Sequence, residues 1–360
     1  MKIGIIGLGF VGLSFAAVLG SKGFSVIGLD TDRKKIEKIN SKKSPFFEPK
    51  LESFLKNALS KSLEITLDAN KVVKNCDFIF LAVGTPKLKS GHINLSMLKN
   101  ASKDIGVSLR NSSKKPIIVV KSTVVPGTTI NVIKPIIEKS SGKKNGNGFD
   151  IVTNPEFLKE GSAIDDTLNP HLVVIGGLSK KPINSLRKFY RKLYGPKIKI
   201  MTTNPQTAEM IKNANNSFLA TKISFINQIS LLCQSIPGTN IDEVANCIGI
   251  DPRIGRSFLN AGPGFGGSCL PKDLETMIQF SSKIGANPLL LKAVQQTNDL
   301  QIKQIIHLLE KNLGNVRNKR ITVLGLSFKE NSSDIRGSRS IELIKILLKK
   351  KSKITVHDPK

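Results

Sequence analysis

The sequence predicts an α/β chain in three parts: a doubly wound N-terminal domain, a central domain built on a long helix, and an incomplete C-terminal α/β domain. Three observations predict this organisation. Short apolar runs alternate with helical patterns in the first half, one long helical pattern follows, and a strand–helix–strand pattern comes last. We place the three domains at residues 1–203, 204–313 and 314–360.

The predicted strands of the first domain are continuous runs of Ile, Val and Phe, a composition typical of parallel strands buried on both faces. They are Lys2–Ile6, Ser25–Leu29, Asp77–Val83, Pro116–Val120, Asp150–Thr153 and Leu172–Ile175. Helical patterns separate them at Val11–Ser21, Asp32–Asn40 and Leu95–Leu109. A polar, glycine-rich loop is predicted at 140–148.

The remainder of the chain changes character. A long helix is predicted over Gln206–Ser235, ended by Pro237-Gly238. A strand at Arg320–Leu324, a helix at Ser340–Lys350 and a strand at Lys353–His357 follow. These last elements are only part of a sheet, so we expect the third domain to be incomplete.

Composition narrows the function classes. The 360 residues carry a net charge of +28, but the lysines are dispersed and aromatic residues make up only 5%, so solvated surfaces are favoured over a nucleic-acid partner. No apolar run is long enough for a membrane span and no signal-peptide cleavage site is evident, which predicts a cytoplasmic protein. The four cysteines lack C-x-x-C spacing and the four histidines do not cluster, so we expect neither a metal nor a disulfide framework.

The stretch Gly7-Leu8-Gly9-Phe10-Val11-Gly12 follows a predicted strand and opens a predicted helix. Its glycines allow a tight turn, approach of a pyrophosphate and close helix–strand packing, while the helix N-terminus faces the phosphates. Asp30 ends the second strand, where a carboxylate accepts hydrogen bonds from a ribose 2′-hydroxyl and repels a 2′-phosphate. Lys35 is a further candidate contact. The pattern predicts a Rossmann-type domain that binds NAD rather than NADP.

A second motif, Gly262-Pro263-Gly264-Phe265-Gly266-Gly267-Ser268-Cys269-Leu270-Pro271-Lys272-Asp273, places one cysteine in a glycine-rich turn. The thiolate is the nucleophilic form of cysteine, and cationic or hydrogen-bonding neighbours favour it. Lys272 and Asp273 follow Cys269 by three and four residues. The motif therefore predicts a reactive thiol.

With these motifs, the chain resembles the UDP-glucose/GDP-mannose 6-dehydrogenase family over its whole length. Seven motifs in the family's order carry the resemblance. They are Gly7–Gly12; Val83-Gly84-Thr85-Pro86 with Asn94-Leu95-Ser96; Lys121-Ser122-Thr123-Val124-Val125-Pro126-Gly127; Asn154-Pro155-Glu156-Phe157-Leu158-Lys159-Glu160-Gly161; Lys212 with Asn216; the cysteine motif; and Phe328-Lys329 with Asp334-Ile335-Arg336.

The resemblance implies a four-electron oxidation, in which two NAD molecules take two hydrides from C6 of a nucleotide sugar and a primary alcohol becomes a carboxylate. By similarity, Cys269 attacks the aldehyde to form a thiohemiacetal, which is oxidised to a thioester that water hydrolyses. UDP-glucose is the favoured substrate. Ser268 fits the UDP-glucose and GDP-mannose branches, so GDP-mannose stays open, and a UDP-N-acetylhexosamine is a further alternative.

The same resemblance assigns roles residue by residue. It makes Cys269, Lys212, Asn216, Asp273, Thr123 and Glu156 catalytic. It assigns cofactor contacts, besides the glycine motif, Asp30 and Lys35, to Thr85, Pro86, Ser122, Thr123, Glu160 and Lys272. It assigns substrate contacts to Glu156, Phe157, Leu158, Glu160, Lys212, Asn216, Arg253, Phe258, Leu259, Asn260, Gly266 and Lys329. Lys212 and Asn216 are four residues apart on a predicted helix and so share one face. Arg253 matches an arginine that reaches the neighbouring subunit's substrate, which implies a homodimer.

Two departures from the family pattern stand out. Leu172 stands where many relatives carry arginine. The family pattern continues beyond Asp358-Pro359 with further strands and helices, so we expect the sequence to be a fragment of a longer product. A catalytically weak binding subunit and, from the net charge alone, a nucleic-acid binder are the alternative hypotheses.

Overall fold

The computed structural model describes residues 1–88 and 90–359, which form two compact units. The first unit comprises residues 1–88 and 93–212. The second comprises the described residues of 89–92 and 213–360. The long helix α9, Pro205–Ser235, contributes residues to both units and agrees with the helix predicted from the sequence.

The first unit is a mixed α/β structure. Its strands are β1 (Lys2–Ile6), β2 (Ser25–Leu29), β3 (Leu63–Thr66), β4 (Phe78–Leu81), β5 (Ile117–Val120), β6 (Lys144–Asn145), β7 (Gly148–Thr153), β8 (Val173–Gly177) and β9 (Ile200–Thr203). Its helices are α1 (Phe10–Ser21), α2 (Arg33–Asn40), α3 (Leu51–Lys61), α4 (Ala69–Asn75), α5 (Ser96–Arg110), α6 (Lys134–Ser141), α7 (Ala163–Leu168) and α8 (Lys180–Tyr194), and a π-helical turn at Thr129–Ile133 precedes α6.

The sheet of this unit has the strand order β3-β2-β1-β4-β5-β7-β8-β9, with β6 paired to β7. All pairs are parallel except β7–β8, where Val152 lies opposite Gly177 in an antiparallel register. The order reverses at β1, which pairs with both β2 and β4. In such doubly wound sheets ligands bind in the crevice at the carboxyl ends of the strands on either side of this reversal. The predicted fold class is confirmed, while the antiparallel pair was not predicted.

Successive side chains of each strand point to opposite faces of the sheet, so the strands contribute to two hydrophobic cores, one on each face. Phe78 and Phe80 of β4 pack in one core with residues of α1, α3 and α8, whereas Ile79 and Leu81 pack in the other with residues of α4, α5 and α6. All four of these β4 side chains are buried. A strand with both faces covered has no polar side, which explains the continuous apolar runs in the sequence.

The second unit is mainly helical. It contains α10 (Ile241–Ile250), α11 (Leu270–Lys283), α12 (Leu289–Leu313) and α13 (Arg339–Lys349), together with the parallel strands β10 (Arg320–Leu324) and β11 (Lys353–His357). Helix α13 begins and ends one residue earlier than predicted. In the first unit the predicted 140–148 loop is shorter, because α6 extends to Ser141 and β6 occupies Lys144–Asn145.

No helix among the described residues is long and apolar enough to cross a membrane.

Candidate active site

The glycine-rich turn after β1 has the geometry that a dinucleotide requires. Gly7 has a φ of +95°, and a Cβ on Gly12 would lie 1.8 Å from the Gly7 carbonyl oxygen, so a larger residue at either position would disrupt the turn. A Cβ on Gly9, by contrast, would meet no atom within 4 Å, which leaves its backbone open to a ligand at the N-terminus of α1. Phe10 and Val11 form the first helical residues. The turn fits a pyrophosphate.

Asp30 follows β2 and is held by three donors. Its Oδ2 accepts hydrogen bonds from the Leu8 backbone N–H at 2.8 Å and from Lys35 Nζ at 2.7 Å, and its Oδ1 accepts one from the Asp32 N–H at 3.0 Å. Burial raises the pKa of Asp30. These hydrogen bonds and the Lys35 charge lower the pKa by more than burial raises it, so the net pKa lies below its usual value. Oδ1 keeps one lone pair for a ribose hydroxyl.

The loops after β4 and β5 are tied together by hydroxyl groups. The Thr85 hydroxyl donates to the Thr123 carbonyl oxygen at 2.8 Å, and the Ser122 hydroxyl donates to the Val83 carbonyl oxygen at 2.7 Å. Pro86 is exposed beside Thr85. Three predicted contact residues, Thr85, Ser122 and Thr123, therefore lie together at the carboxyl end of the sheet.

Glu209 of α9 fixes the turn that follows Thr123. Its buried carboxylate accepts hydrogen bonds from the backbone N–H groups of Gly127 at 2.6 Å and Thr129 at 2.9 Å. Burial raises the pKa of Glu209, and these hydrogen bonds partly oppose the increase. Glu209 was not among the residues predicted from the sequence; its signal was an acidic residue three positions before Lys212 on the same helix.

Glu156 and Lys212 form a buried ion pair in the first unit, with Nζ 3.3 Å from Oε1. The second carboxylate oxygen of Glu156 accepts the Leu158 N–H at 2.6 Å. The Lys212 ammonium also lies 5.2 Å from the centre of the Phe157 ring, a cation–π distance. Four residues predicted to contact the substrate therefore meet here, while Glu160, further along the same segment, is half-buried.

The cysteine motif lies in the second unit, with Cys269 directly before helix α11. Its thiol is exposed, and its Sγ lies 3.6 Å from the Ser268 hydroxyl. A helix N-terminus carries partial positive charge that favours a thiolate. A Cβ on Gly267 would lie 2.6 Å from the Phe328 ring, and Gly267 has a φ of +82°, so this glycine is required by the protein's own packing.

Asp273, one helical turn after Cys269, is almost fully buried. Its Oδ2 accepts a hydrogen bond from the Asn216 side-chain amide at 2.6 Å, and its Oδ1 pairs with the Lys272 ammonium. Two donors, one of them charged, stabilise a buried carboxylate. Three residues to which the resemblance assigned roles, Asn216, Lys272 and Asp273, therefore contact one another through the Asp273 carboxylate.

Two residues that the sequence analysis missed hold the cysteine motif. The Asn298 side-chain oxygen accepts the Phe265 N–H at 2.7 Å, and the buried Arg339 guanidinium donates to the Pro263 carbonyl oxygen at 3.0 Å and to the Asn298 carbonyl oxygen at 2.7 Å. Asn298 lies 33 residues after its partner Phe265, and Arg339 lies 76 residues after its partner Pro263. No local sequence pattern indicates contacts over such separations.

The other predicted substrate residues of this unit are more dispersed. Arg253 is exposed and its guanidinium pairs with Asp251 at 2.6 Å. Phe258 has a φ of +66°, an uncommon conformation for an aromatic residue, and is followed by buried Leu259 and exposed Asn260. Lys329 is half-buried, and its carbonyl oxygen accepts a hydrogen bond from the Ser327 hydroxyl. Gly266 lies so close to Gly337 that a Cβ would be 2.2 Å from its carbonyl oxygen.

No group of three or more His, Cys, Asp or Glu side chains suited to a metal is found in the described part of the chain.

Three family models match successive parts of the chain. The NAD binding domain of the UDP-glucose/GDP-mannose dehydrogenase family matches residues 1–194, the central domain matches residues 206–300, and the UDP binding domain matches residues 322–360. The first match confirms the prediction of NAD as the cofactor. The exact domain boundaries stay predictions.

Similar proteins agree with these matches. UDP-glucose 6-dehydrogenase TuaD of Bacillus subtilis is 41% identical over 99% of this chain and 76% of its own length. A UDP-glucose dehydrogenase structure from Pyrobaculum islandicum has a TM-score of 0.95 and 36% identity, over 99% of this chain and 82% of its own. A GDP-mannose dehydrogenase structure from Pseudomonas aeruginosa has a TM-score of 0.69 and 36% identity, over 99% of this chain and 81% of its own.

The family models match the chain from its first domain to its third, and they agree with the dinucleotide turn and with the thiol at a helix N-terminus. The chain therefore belongs to the UDP-glucose/GDP-mannose dehydrogenase family.

Proposed function

We propose that this protein oxidises the C6 alcohol of UDP-glucose to the carboxylate of UDP-glucuronate. The observation that carries the proposal is the presence, in one chain, of a dinucleotide turn at Gly7–Gly12 and a thiol, Cys269, directly before helix α11. A dinucleotide site alone supports oxidation to an aldehyde. A nucleophile converts that aldehyde into an alcohol-like adduct that can lose a second hydride.

The reaction balances as follows. One primary alcohol, one water and two NAD⁺ become one carboxylate, two NADH and three protons. NAD, when bound, supplies the hydride acceptor. The Cys269 thiolate forms a bond to the aldehyde carbon to give a thiohemiacetal, loss of the second hydride gives a thioester, and water then cleaves the carbon–sulfur bond and releases the thiol.

The polar residues act on the oxygen at C6 and on the water. We assign the Lys212 ammonium and the Asn216 amide to stabilise negative charge on that oxygen. We assign Thr123 and Asp273 to hold the hydrolytic water, and Glu156 to acid–base transfer. The buried pairs Glu156–Lys212 and Asn216–Asp273 support these assignments, because each keeps a functional group oriented before substrate arrives.

Binding is assigned to the remaining residues. The Gly7–Gly12 turn and Asp30 hold NAD, with Lys35 acting on Asp30. Further NAD contacts are assigned to Thr85, Pro86, Ser122, Thr123, Glu160 and Lys272. The sugar nucleotide is assigned to Phe157, Leu158, Glu160, Phe258, Leu259, Asn260, Gly266 and Lys329. The uncommon φ of Phe258 supports a backbone role there, because such strain is typical of functional segments.

We further propose a cytoplasmic homodimer, in which Arg253 reaches the substrate of the partner subunit. Its side chain is 87% exposed and fixed to Asp251, which supports a role outside its own core. Sedimentation of the purified chain tests the dimer. An Arg253→Ala protein that is dimeric and has an unchanged KM for the sugar nucleotide would contradict the assignment.

The function is tested by incubating the protein with NAD and each sugar nucleotide while NADH is recorded. We expect two NADH per UDP-glucose and a UDP-glucuronate product. Cys269→Ala is expected to abolish carboxylate formation. A Cys269→Ala protein that still makes carboxylate would contradict the covalent mechanism, and absence of turnover by the 360-residue chain would support a binding subunit.

GDP-mannose is the second candidate substrate. The chain is equally identical, at 36%, to the UDP-glucose dehydrogenase structure and to the GDP-mannose dehydrogenase structure. NADH formation with GDP-mannose but not with UDP-glucose would favour this candidate.

A further inference from the structure

Lys121 is a buried lysine without an assigned role. It follows strand β5 and is 7% exposed. Its Nζ donates a hydrogen bond to Asn154 Oδ1 at 3.3 Å and lies 5.2 Å from the centre of the Phe15 ring. A buried ammonium with one long hydrogen bond and one aromatic face is incompletely compensated, so its protonated form is costly.

The charged groups that act on Lys121 are those of the acid–base pair. Burial lowers the pKa of the Lys121 ammonium, the Glu156 carboxylate raises it and the Lys212 ammonium lowers it, which leaves the pKa at about 8. A lysine in this range exchanges its proton near neutral pH. The three side chains form a buried cluster in which the protonation of Lys121 acts on Glu156.

Behind this cluster lies a cavity of about 50 Å³. Its wall includes Lys121, Asn154, Glu156, Tyr190 and His171, and His171 is exposed to solvent. A water needs roughly 10–15 Å³ of such space and two or more polar partners. The cavity therefore has room and partners for water between the buried cluster and the surface.

The polar wall of the cavity is fixed. The Tyr190 hydroxyl donates to Asn154 Oδ1, and the Asn154 amide nitrogen donates to the Val174 carbonyl oxygen at 2.8 Å, which sets the orientation of the amide. Burial raises the pKa of Tyr190 well above its ordinary range, so the phenol stays a neutral donor. Among the side chains bonded to Asn154 Oδ1, Lys121 is the one that titrates near neutral pH.

We propose that Lys121 is a positioning residue that acts through Glu156, and that protons released in the oxidation leave the site from Glu156 to Lys121 and through the cavity to solvent. The proposal rests on the proposed function, because that reaction must dispose of three protons per sugar. In each transfer, a water in the cavity that both side chains line carries the proton from the protonated Glu156 carboxyl to the neutral Lys121 amine. The resulting ammonium gives it to a cavity water, and carboxylate and amine are restored.

Two substitutions separate proton transfer from charge alone. Lys121→Arg keeps a cation that cannot lose its proton. Lys121→Met keeps the approximate length of the side chain but carries neither a positive charge nor a proton that it can transfer. We expect the kcat of the wild-type protein to rise with pH through about 8, as the Lys121 amine becomes available. Both variants should lose this rise and reduce kcat by ~10-fold or more, with KM little changed.

Lys188→Met is the matched control, because Lys188 is an exposed lysine of helix α8 outside the cavity wall. It should retain the wild-type profile. A Lys121→Arg protein with the wild-type profile would overturn the proposal and assign Lys121 a purely electrostatic role. A Lys121→Met protein with unchanged kcat and profile would overturn it altogether.

A titration in the absence of substrate keeps this test distinct from the proposed function. Lysine side-chain NMR of the wild-type protein, with Lys121→Arg to identify the signal, should report a Lys121 titration near pH 8. Glu156→Gln should move it to lower pH, because the favourable carboxylate is removed. A titration near the ordinary lysine range, or one that Glu156→Gln leaves in place, would contradict the proposal even if no sugar nucleotide is oxidised.

Discussion

The Nζ of Lys212 lies 3.3 Å from Oε1 of Glu156, and both side chains are at least nine-tenths buried. Lys212 comes from helix α9 and Glu156 from the segment after β7, so the pair joins two distant parts of the sequence. A buried ion pair contributes little net stability, but removal of one partner leaves an uncompensated charge. The pair therefore holds both side chains in place.

Lys212→Met is predicted to reduce activity strongly and to destabilise the fold. We expect a loss in kcat of about 100- to 1,000-fold, because one donor to a developing oxyanion is removed. We expect the free energy of unfolding to fall by about 3–5 kcal/mol, since Glu156 loses its partner. Urea unfolding and NADH assays measure the two effects. A Glu156→Gln/Lys212→Met protein that regains stability but not activity would confirm the pair, whereas additive stability losses would contradict it.

The sequence predicted this pair only as two separate candidates. The resemblance to the family pointed to Glu156, Lys212 and Asn216, and the i, i+4 spacing of the last two placed them on one face of a predicted helix. Their partners depend on tertiary packing. Glu156 pairs with Lys212, and Asn216 with Asp273, 57 residues away. No local period encodes such contacts.

The elements of the fold divide in the same way, into those that a local sequence pattern specifies and those that depend on tertiary packing. The buried strands were predictable because their apolar runs are continuous, and the long helix because its period persists. Strands β3 and β9 and helices α3 and α8 were missed. Glu64 interrupts the apolar run of β3, whereas the helically spaced apolar residues of α8, buried at Leu186, Phe189 and Leu193, were a signal that the sequence did carry. The antiparallel pairing of β7 with β8 was also missed, since an apolar run does not specify the direction of its neighbour.

The Asn216–Asp273 hydrogen bond predicts a second loss of activity. Asn216→Leu removes a donor at 2.6 Å from a carboxylate that is almost fully buried. We expect the free energy of unfolding to fall by about 1–3 kcal/mol and thioester hydrolysis to slow. Single-turnover assays with quenched samples would detect accumulated thioester. Gln228→Leu, which replaces an exposed amide later on α9, is the control, and equal effects of both substitutions would contradict the prediction.

Three of the four cysteines are predicted to differ in alkylation. Cys247 and Cys269 are exposed, while Cys76 is buried and burial raises the pKa of its thiol to about 12. Iodoacetamide should therefore modify Cys247 and Cys269 but spare Cys76 from pH 7 to pH 9, because only the thiolate reacts. Sugar nucleotide with NAD should protect Cys269 and not Cys247. Peptide mass spectrometry measures each site, and equal protection of both would argue against binding at Cys269.

Asp30 is predicted to link NAD binding to acid stability. Its folded-state pKa is lowered, so its contribution to stability is present above the unfolded pKa, near 3.8, and is lost as the pH falls through the lower folded value. Asp30→Asn should therefore be less stable than the wild-type protein at neutral pH, and the difference should vanish in acid. The KM for NAD should rise. A stability difference that persists at the lowest pH would contradict this account.

Glu48 is predicted to position the segment that carries Glu160. Its buried carboxylate accepts the N–H groups of Gly161 and Ala163, each at 2.7 Å. Glu48→Gln presents an amide NH₂ to one of these donors, which leaves that N–H unsatisfied and costs about 1–3 kcal/mol. Because the segment after Glu156 then loosens, KM for the sugar nucleotide should rise more than kcat falls. Glu52→Gln, which alters an exposed carboxylate of α3 that pairs with Lys56, is the control. A Glu48→Gln protein with the KM of the control would show that the segment keeps its shape without this carboxylate.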